Sequence, residues 1–146
     1  MLLSLLSLAA LATASPLRRD SATFTPPQGL NITYESAYNA SLPRVAILAT
    51  GGTIAGAGAG ASSSGTYTAG SIGVAALIDA VPDLLQRANI VGFQVANVGS
   101  PSINSSIQLD LARAANELLC AQGSVTDGVV VTHGTDTLEE TAFFRE

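Results

Sequence analysis

Three loops of this chain gather reactive side chains at points where buried strands should end. Thr53 follows Gly51-Gly52 directly after the apolar run Val45-Ala46-Ile47-Leu48-Ala49-Thr50. Two glycines there let the backbone come close to a bound molecule, and a hydroxyl so placed can act as a nucleophile. His133-Gly134-Thr135-Asp136 follows Gly128-Val129-Val130-Val131-Thr132 and puts an imidazole, a hydroxyl and a carboxylate at a helix start, where backbone N–H groups can meet an anion. Ser100 stands in a third loop, Gly99-Ser100-Pro101. Taken singly, each feature has a plainer reading: Thr53 as a turn threonine bonding its own backbone, Asp136 as a helix cap, His133 as a structural hydrogen bonder. A single histidine does not make a metal site, and no cofactor is expected.

The elements needed to position these loops can be read from hydropathy. The run over residues 45–50 has the continuous apolar character of a strand buried on both sides, and Gly128–Thr132 repeats it as another fully buried strand. Val91–Val98, with Phe93, Val95 and Val98 apolar, reads as a strand between them. Ala75, Leu77, Ile78 and Val81 mark one face of a helix that Pro82 should stop or kink. Ile107, Leu111, Ala114, Leu118 and Leu119 mark a stronger helix, started by a Ser105…Gln108 capping box and ended by Gly123. A second box, Thr137…Glu140, opens a third helix. Alternating strands and helices predict an α/β fold, a parallel sheet with helices on both faces, whose reactive loops lie beyond the carboxyl ends of the strands. Gly51–Gly70 is too rich in glycine and serine for a packed element and reads as a long loop, functional or disordered.

Composition sets the wider frame. The chain has 146 residues and a formal charge of −5, and its six bases are all arginine, so nucleic acid is not an expected partner. Residues 1–14 read as a signal peptide: Leu2–Leu11 is too short to span a bilayer, and Ala12-Thr13-Ala14 suits a signal peptidase. The protein is thus expected to be secreted, to the extracellular space or cell wall, with no membrane attachment after cleavage. Residues 15–43, polar and proline-containing, read as an extended glycosylatable arm or pro-segment, with Arg18-Arg19 as a possible processing point. The folded domain is expected over 44–146. Acceptor triplets for N-glycosylation occur at Asn31-Ile32-Thr33, Asn39-Ala40-Ser41 and Asn104-Ser105-Ser106, the last equally readable as a cap or turn. Cys120 is alone, either as a small buried residue at a helix end or with a partner in a stretch outside this sequence.

Together, Ile47-Leu48-Ala49-Thr50-Gly51-Gly52-Thr53-Ile54-Ala55 and Gly128-Val129-Val130-Val131-Thr132-His133-Gly134-Thr135-Asp136-Thr137-Leu138 resemble the two signatures of the asparaginase/glutaminase family. The likeness extends from Arg44 to Phe144 and points to the secreted, type II members. It implies a small-molecule substrate, L-asparagine, and Thr53 as the nucleophile that forms an acyl-enzyme on the way to aspartate and ammonia. Tyr67 aligns with a mobile-loop tyrosine that activates the nucleophile, and the glycine-rich loop with a lid. Thr135 matches a second threonine active in acyl transfer. Asp136 matches its partner carboxylate, which also pairs with the substrate α-ammonium, and Ser100 matches a serine that binds the α-carboxylate. The full-length family is a homo-oligomer, typically a tetramer.

The chain departs from the family pattern in two places. Pro101 replaces a glutamine present in many members, removing a side-chain donor and a backbone N–H. The family's triad lysine comes from the strand after the Phe143-Phe144 helix, and this chain contains no lysine. A smaller carboxy-terminal domain, which completes a neighbouring subunit's site, is likewise missing, so the 146-residue chain is expected to be an incomplete enzyme with little or no activity of its own. In some secreted members the cysteine matching Cys120 pairs with one just past this point. Three rivals fit less well. A tRNA-dependent amidotransferase subunit shares the T-G-G-T and H-G-T-D-T motifs, but a secretion signal and an acidic chain argue against it. Gly56-Ala57-Gly58-Ala59-Gly60-Ala61 satisfies a dinucleotide-binding pattern but runs into serines where a helix should start, and no G-x-S-x-G elbow of a serine hydrolase occurs.

Overall fold

The structure, a computed structural model, describes residues 24–58, 67–68 and 70–144. The stretch expected to be a signal peptide, the Arg18-Arg19 pair and the serine-rich part of the long loop lie outside the described residues. The strands are β1 (Ile32–Glu35), β2 (Arg44–Gly51), β3 (Ala57–Gly58), β4 (Tyr67–Thr68), β5 (Asn89–Val98) and β6 (Gly128–Thr132), and the helices α1 (Val74–Asp79), α2 (Ser105–Cys120) and α3 (Leu138–Phe144). Four strands form one sheet in the order β1-β5-β2-β6, and β3 pairs with β4 apart from it. β2 runs parallel to β5 on one side and to β6 on the other.

The period of two in β2 explains why both sheet faces are covered. Ala46 and Leu48 pack with Val91, Phe93 and the α2 residues Leu111, Ala114, Ala115 and Leu118. Ile47 and Ala49 pack on the opposite face with Ile90 and the α1 residues Val74 and Ile78. Complete burial of a side chain such as Leu48 or Phe93 contributes about 1.5–3 kcal/mol, so the sheet's centre is also its most stabilised part. α1 seats closely because Gly92 has no side chain: a Cβ there would lie 3.0 Å from Ile78 Cδ1 and 3.3 Å from Val74 Cγ2.

Several expectations need correction. Residues 24–43 do not hang free of the sheet, since β1 adds to it antiparallel to β5. Asn89, buried at the start of β5, holds the turn that follows β1: its Nδ2 donates to Asn39 O (2.9 Å) and Leu42 O (2.8 Å), and its Oδ1 accepts from Asn39 N (2.6 Å). The Arg44 guanidinium lies between the rings of Phe24 and Tyr38, 5.4 and 5.0 Å from their centroids, and Phe24 packs on Phe93. β6, expected to be fully buried, is half-buried, with Val130 49% exposed, because among the described residues β2 is its only neighbour in the sheet.

The helix ends also differ in detail. Asn104 caps α2, its side chain accepting from Ser106 N and Ile107 N, and Gln108 donates to Thr141 Oγ1 (3.5 Å) instead of closing a box with Ser105. α2 ends at Cys120, before the turn that contains Gly123. Leu119 and Cys120 are exposed, because the α2 face against the sheet is already filled by Leu111, Ala114, Ala115 and Leu118. Val81 is likewise exposed: α1 ends at Asp79 and leaves it outside the helix. The long loop is not without structure, for it contains a 3-10 turn over Thr53–Ala55 and the β3–β4 pair, with Ala55 fully buried.

Candidate active site

The reactive loops meet at one end of the sheet, and the register of the parallel strands brings them there. Gly51 at the end of β2 lies opposite Val98 at the end of β5, and Ala49 lies opposite Thr132 at the end of β6. Gly52 N donates to Val98 O (2.7 Å), and the Thr50 hydroxyl donates to Thr132 O (3.0 Å), tying both neighbours to the central strand. The glycines are required by contact as well as by conformation. A Cβ on Gly51 would lie 2.6 Å from Val98 N, and one on Gly52 would lie 2.3 Å from Gly134 Cα. Gly52 has φ 76° and ψ −159°, a region that only glycine occupies readily. A Cβ on Gly134 would in turn meet Ser100 Oγ at 2.6 Å. The first two loops therefore touch backbone to backbone, and the third presses its Ser100 side chain on Gly134, with no room at either glycine for a side chain.

That contact sets the spacing of the functional groups. Thr53 Oγ1 and Thr135 Oγ1 are 3.4 Å apart, although 82 residues separate them in the chain. Thr135 Oγ1 also lies 3.5 Å from Asp136 Oδ1, at the outer limit of a hydrogen bond. The other carboxylate oxygen, Asp136 Oδ2, accepts from Ser100 Oγ at 3.1 Å, and Ser100 Oγ accepts from Asp136 N at 3.2 Å. Thr53, Thr135, Asp136 and Ser100 thus form one continuous chain of polar contacts. Its first three members are exposed and face solvent, where a small molecule can reach them, while Ser100 is buried beneath. Long contacts between candidate catalytic groups are common before substrate binds.

Four of the five expected site residues are accordingly brought together. Ser100 differs from expectation in its bonding: its hydroxyl is engaged on both sides by Asp136, so a bond to a substrate carboxylate would have to replace the one to Asp136. The fifth residue, Tyr67, falls in β4 opposite Gly58, where the backbone is described and the side chain is not. His133 turns Nδ1 to Gly134 O (2.8 Å); a carbonyl only accepts, so the proton is on Nδ1. Its Nε2 and the neighbouring Thr132 Oγ1 are buried without a partner among the described residues. Thr137, read from sequence only as the start of a capping box, donates its hydroxyl to Ser100 O (2.9 Å) and so braces the third loop, a role the sequence did not signal. Among the described residues no three His, Cys, Asp or Glu side chains converge as metal ligands would.

The profile of the family described as "Asparaginase, N-terminal" matches residues 44–146. The chain belongs to the asparaginase family. It is 54% identical over 103 residues to L-asparaginase 2 of Bacillus subtilis (strain 168), covering 70% of this chain and 27% of that one. It is 55% identical over 103 residues to a glutaminase-asparaginase of Pseudomonas fluorescens biotype A, covering 70% and 28%. The solved structure of a probable cytoplasmic L-asparaginase from Campylobacter jejuni aligns with a TM-score of 0.65 at 45% identity, over 70% of this chain and 31% of that chain. The fold is therefore that of the asparaginase amino-terminal domain, with β1 added from outside the matched stretch. The chain spans under a third of the length of the curated relatives it matches. These relatives come from more than one compartment, some named as periplasmic and others as cytoplasmic.

Proposed function

We propose that this chain provides the nucleophile-bearing part of a secreted, type II amidohydrolase that converts L-asparagine to L-aspartate and ammonia. The observation that carries the reading is the 3.4 Å approach of the Thr53 and Thr135 hydroxyls at the open end of the sheet. In this reading Thr53 Oγ1 attacks the side-chain amide carbon of asparagine. The C–N bond breaks, ammonia leaves with the proton delivered to it, and an ester to Thr53 remains. Water then cleaves that ester, releasing aspartate and restoring the hydroxyl. Thr135, between Thr53 and Asp136, passes the proton, and the Asp136 carboxylate pairs with the substrate α-ammonium. Ser100 holds Asp136 in place from below. Tyr67 assists the nucleophile, and the glycine-rich loop closes over the bound substrate. By resemblance to the family the relay is completed by a lysine, and these 146 residues contain none. Entry into the secretory pathway is supported by the sequence of residues 1–14.

The test is ammonia release from asparagine by two proteins: the 146-residue chain, and the same chain continued after α3 by the remaining length of the Bacillus subtilis relative. The continued protein is expected to hydrolyse asparagine, with Thr53→Ala lowering kcat by about a thousandfold or more, as loss of a nucleophile does. The short chain is expected to release none above background. Full activity of the Thr53→Ala variant would refute the assignment of the nucleophile. Glutamine, tried in the same assay, measures whether the specificity is that named for the Pseudomonas relative.

A further inference from the structure

The three N-glycosylation triplets occupy physically different places, and the difference sorts them. Asn104 is committed to α2: its side chain accepts from Ser106 N (3.0 Å) and Ile107 N (3.1 Å), and the triplet's own Ser106 lies in the first helical turn. α2 is fixed to the sheet through buried Leu111, Ala114, Ala115 and Leu118, so this triplet, although exposed, is presented as the start of an anchored helix and not as extended chain. Asn31 immediately precedes β1, the outermost strand of the described sheet, and Asn39 lies four residues past its end, in the turn towards β2. Both side chains are exposed, and Thr33 of the Asn31 triplet is exposed as well. Asn39 has its backbone held by Asn89, while its Oδ1 accepts from Ser41 N (3.0 Å) in a tight turn, leaving Nδ2 directed away from that bond. A strand paired along one edge only is among the first parts of a sheet to open.

We infer that Asn31 and Asn39 carry N-linked glycans and that Asn104 does not. The inference rests on the secreted reading proposed above. In the reaction, Nδ2 attacks the anomeric carbon of a polyprenyl-pyrophosphate-linked oligosaccharide in the secretory lumen. The sugar C1–O bond breaks, the lipid pyrophosphate leaves, and Nδ2 loses one proton as the C–N bond forms. The result places one bulky, hydrophilic group at the start of a strand that is unpaired on one side among the described residues and another in the turn beyond it, and such an edge otherwise templates pairing between chains.

The arginine positions make the test direct. Trypsin yields one peptide, 20–44, that contains both Asn31 and Asn39, and another, 88–113, that contains Asn104. The full chain is expressed behind an added secretory leader in a eukaryotic host, and the peptides are weighed before and after enzymatic removal of N-glycans. Peptide 20–44 is expected to carry two glycans, Asn31→Gln and Asn39→Gln each to remove one, and peptide 88–113 to be bare. A bare peptide 20–44 from secreted chain, or a glycan on peptide 88–113, overturns the inference. Expression of the same chain without the added leader tests secretion separately: retention inside the cell would refute the secreted reading while the peptide masses still decide the sites.

Discussion

Replacing Gly52 by alanine tests whether the direct backbone contact between loops is what assembles the site. Two costs add. The native dihedrals, φ 76° and ψ −159°, lie in a region that costs a residue with a Cβ about 1–3 kcal/mol. The new Cβ would also lie 2.3 Å from Gly134 Cα and Gly134 N, so the loops must part by more than an ångström to reach ordinary contact, and overpacking of that kind costs about 1–3 kcal/mol. The sum, about 2–6 kcal/mol, is a large share of the roughly 5–15 kcal/mol that holds a domain folded. Two companion variants separate the terms. Gly123 has φ 80° with nothing within 4 Å of its added Cβ, so Gly123→Ala reports conformation alone, about 1–2 kcal/mol. Gly134 lies outside the positive-φ region but would meet Ser100 Oγ at 2.6 Å, so Gly134→Ala reports contact alone. Urea unfolding followed by circular dichroism gives the three values, compared through the midpoints at unchanged slope. In the continued enzyme, the same displacement should lower activity about a hundredfold, since an ångström of misplacement has that effect. A Gly52→Ala loss no greater than that of Gly123→Ala would refute the reasoning, because the loop contact would then contribute nothing.

Two further outcomes follow from features away from the site. Asn89→Ala removes both donors and acceptor from the turn after β1 and should destabilise the chain by about 1–3 kcal/mol in the same unfolding measurement, since it takes away three part-buried hydrogen bonds at once. Cys120, exposed at the end of α2, should react with a thiol reagent in the native chain at a rate close to that in urea, and a strong dependence on denaturant would show it to be covered.

The sequence carried the central part of the fold because that part is governed by local signals. Val45–Thr50 and Gly128–Thr132 are apolar runs that suit a parallel sheet covered on two sides, and the glycine pair after β2 marks a close approach before any partner is known. What it did not carry depends on neighbours. β1 is four residues long with an exposed surface, so Ile32-Thr33-Tyr34-Glu35 has no buried alternation to separate it from the polar stretch around it. The exposure of Val130 depends on how many strands flank β6, a quantity the run itself does not encode. At α2 two adjacent residues, Asn104 and Ser105, are both competent caps, and only the backbone geometry chooses between them. In the site, motif spacing indicated which residues gather, but not that Ser100 would be turned toward Asp136, since that depends on the packing of Gly134 against Gly52.

The Arg44 cage has a practical side. The boundary suggested by kinship falls at residue 44, yet cutting there would strip both aromatic rings from the guanidinium, remove the outermost strand and leave Asn89 with no turn to hold. An expression fragment designed from relatives alone would thus begin inside a clasp, with a cation newly bared on the surface. Purification handles and fusion partners belong ahead of Phe24, where the clasp stays closed.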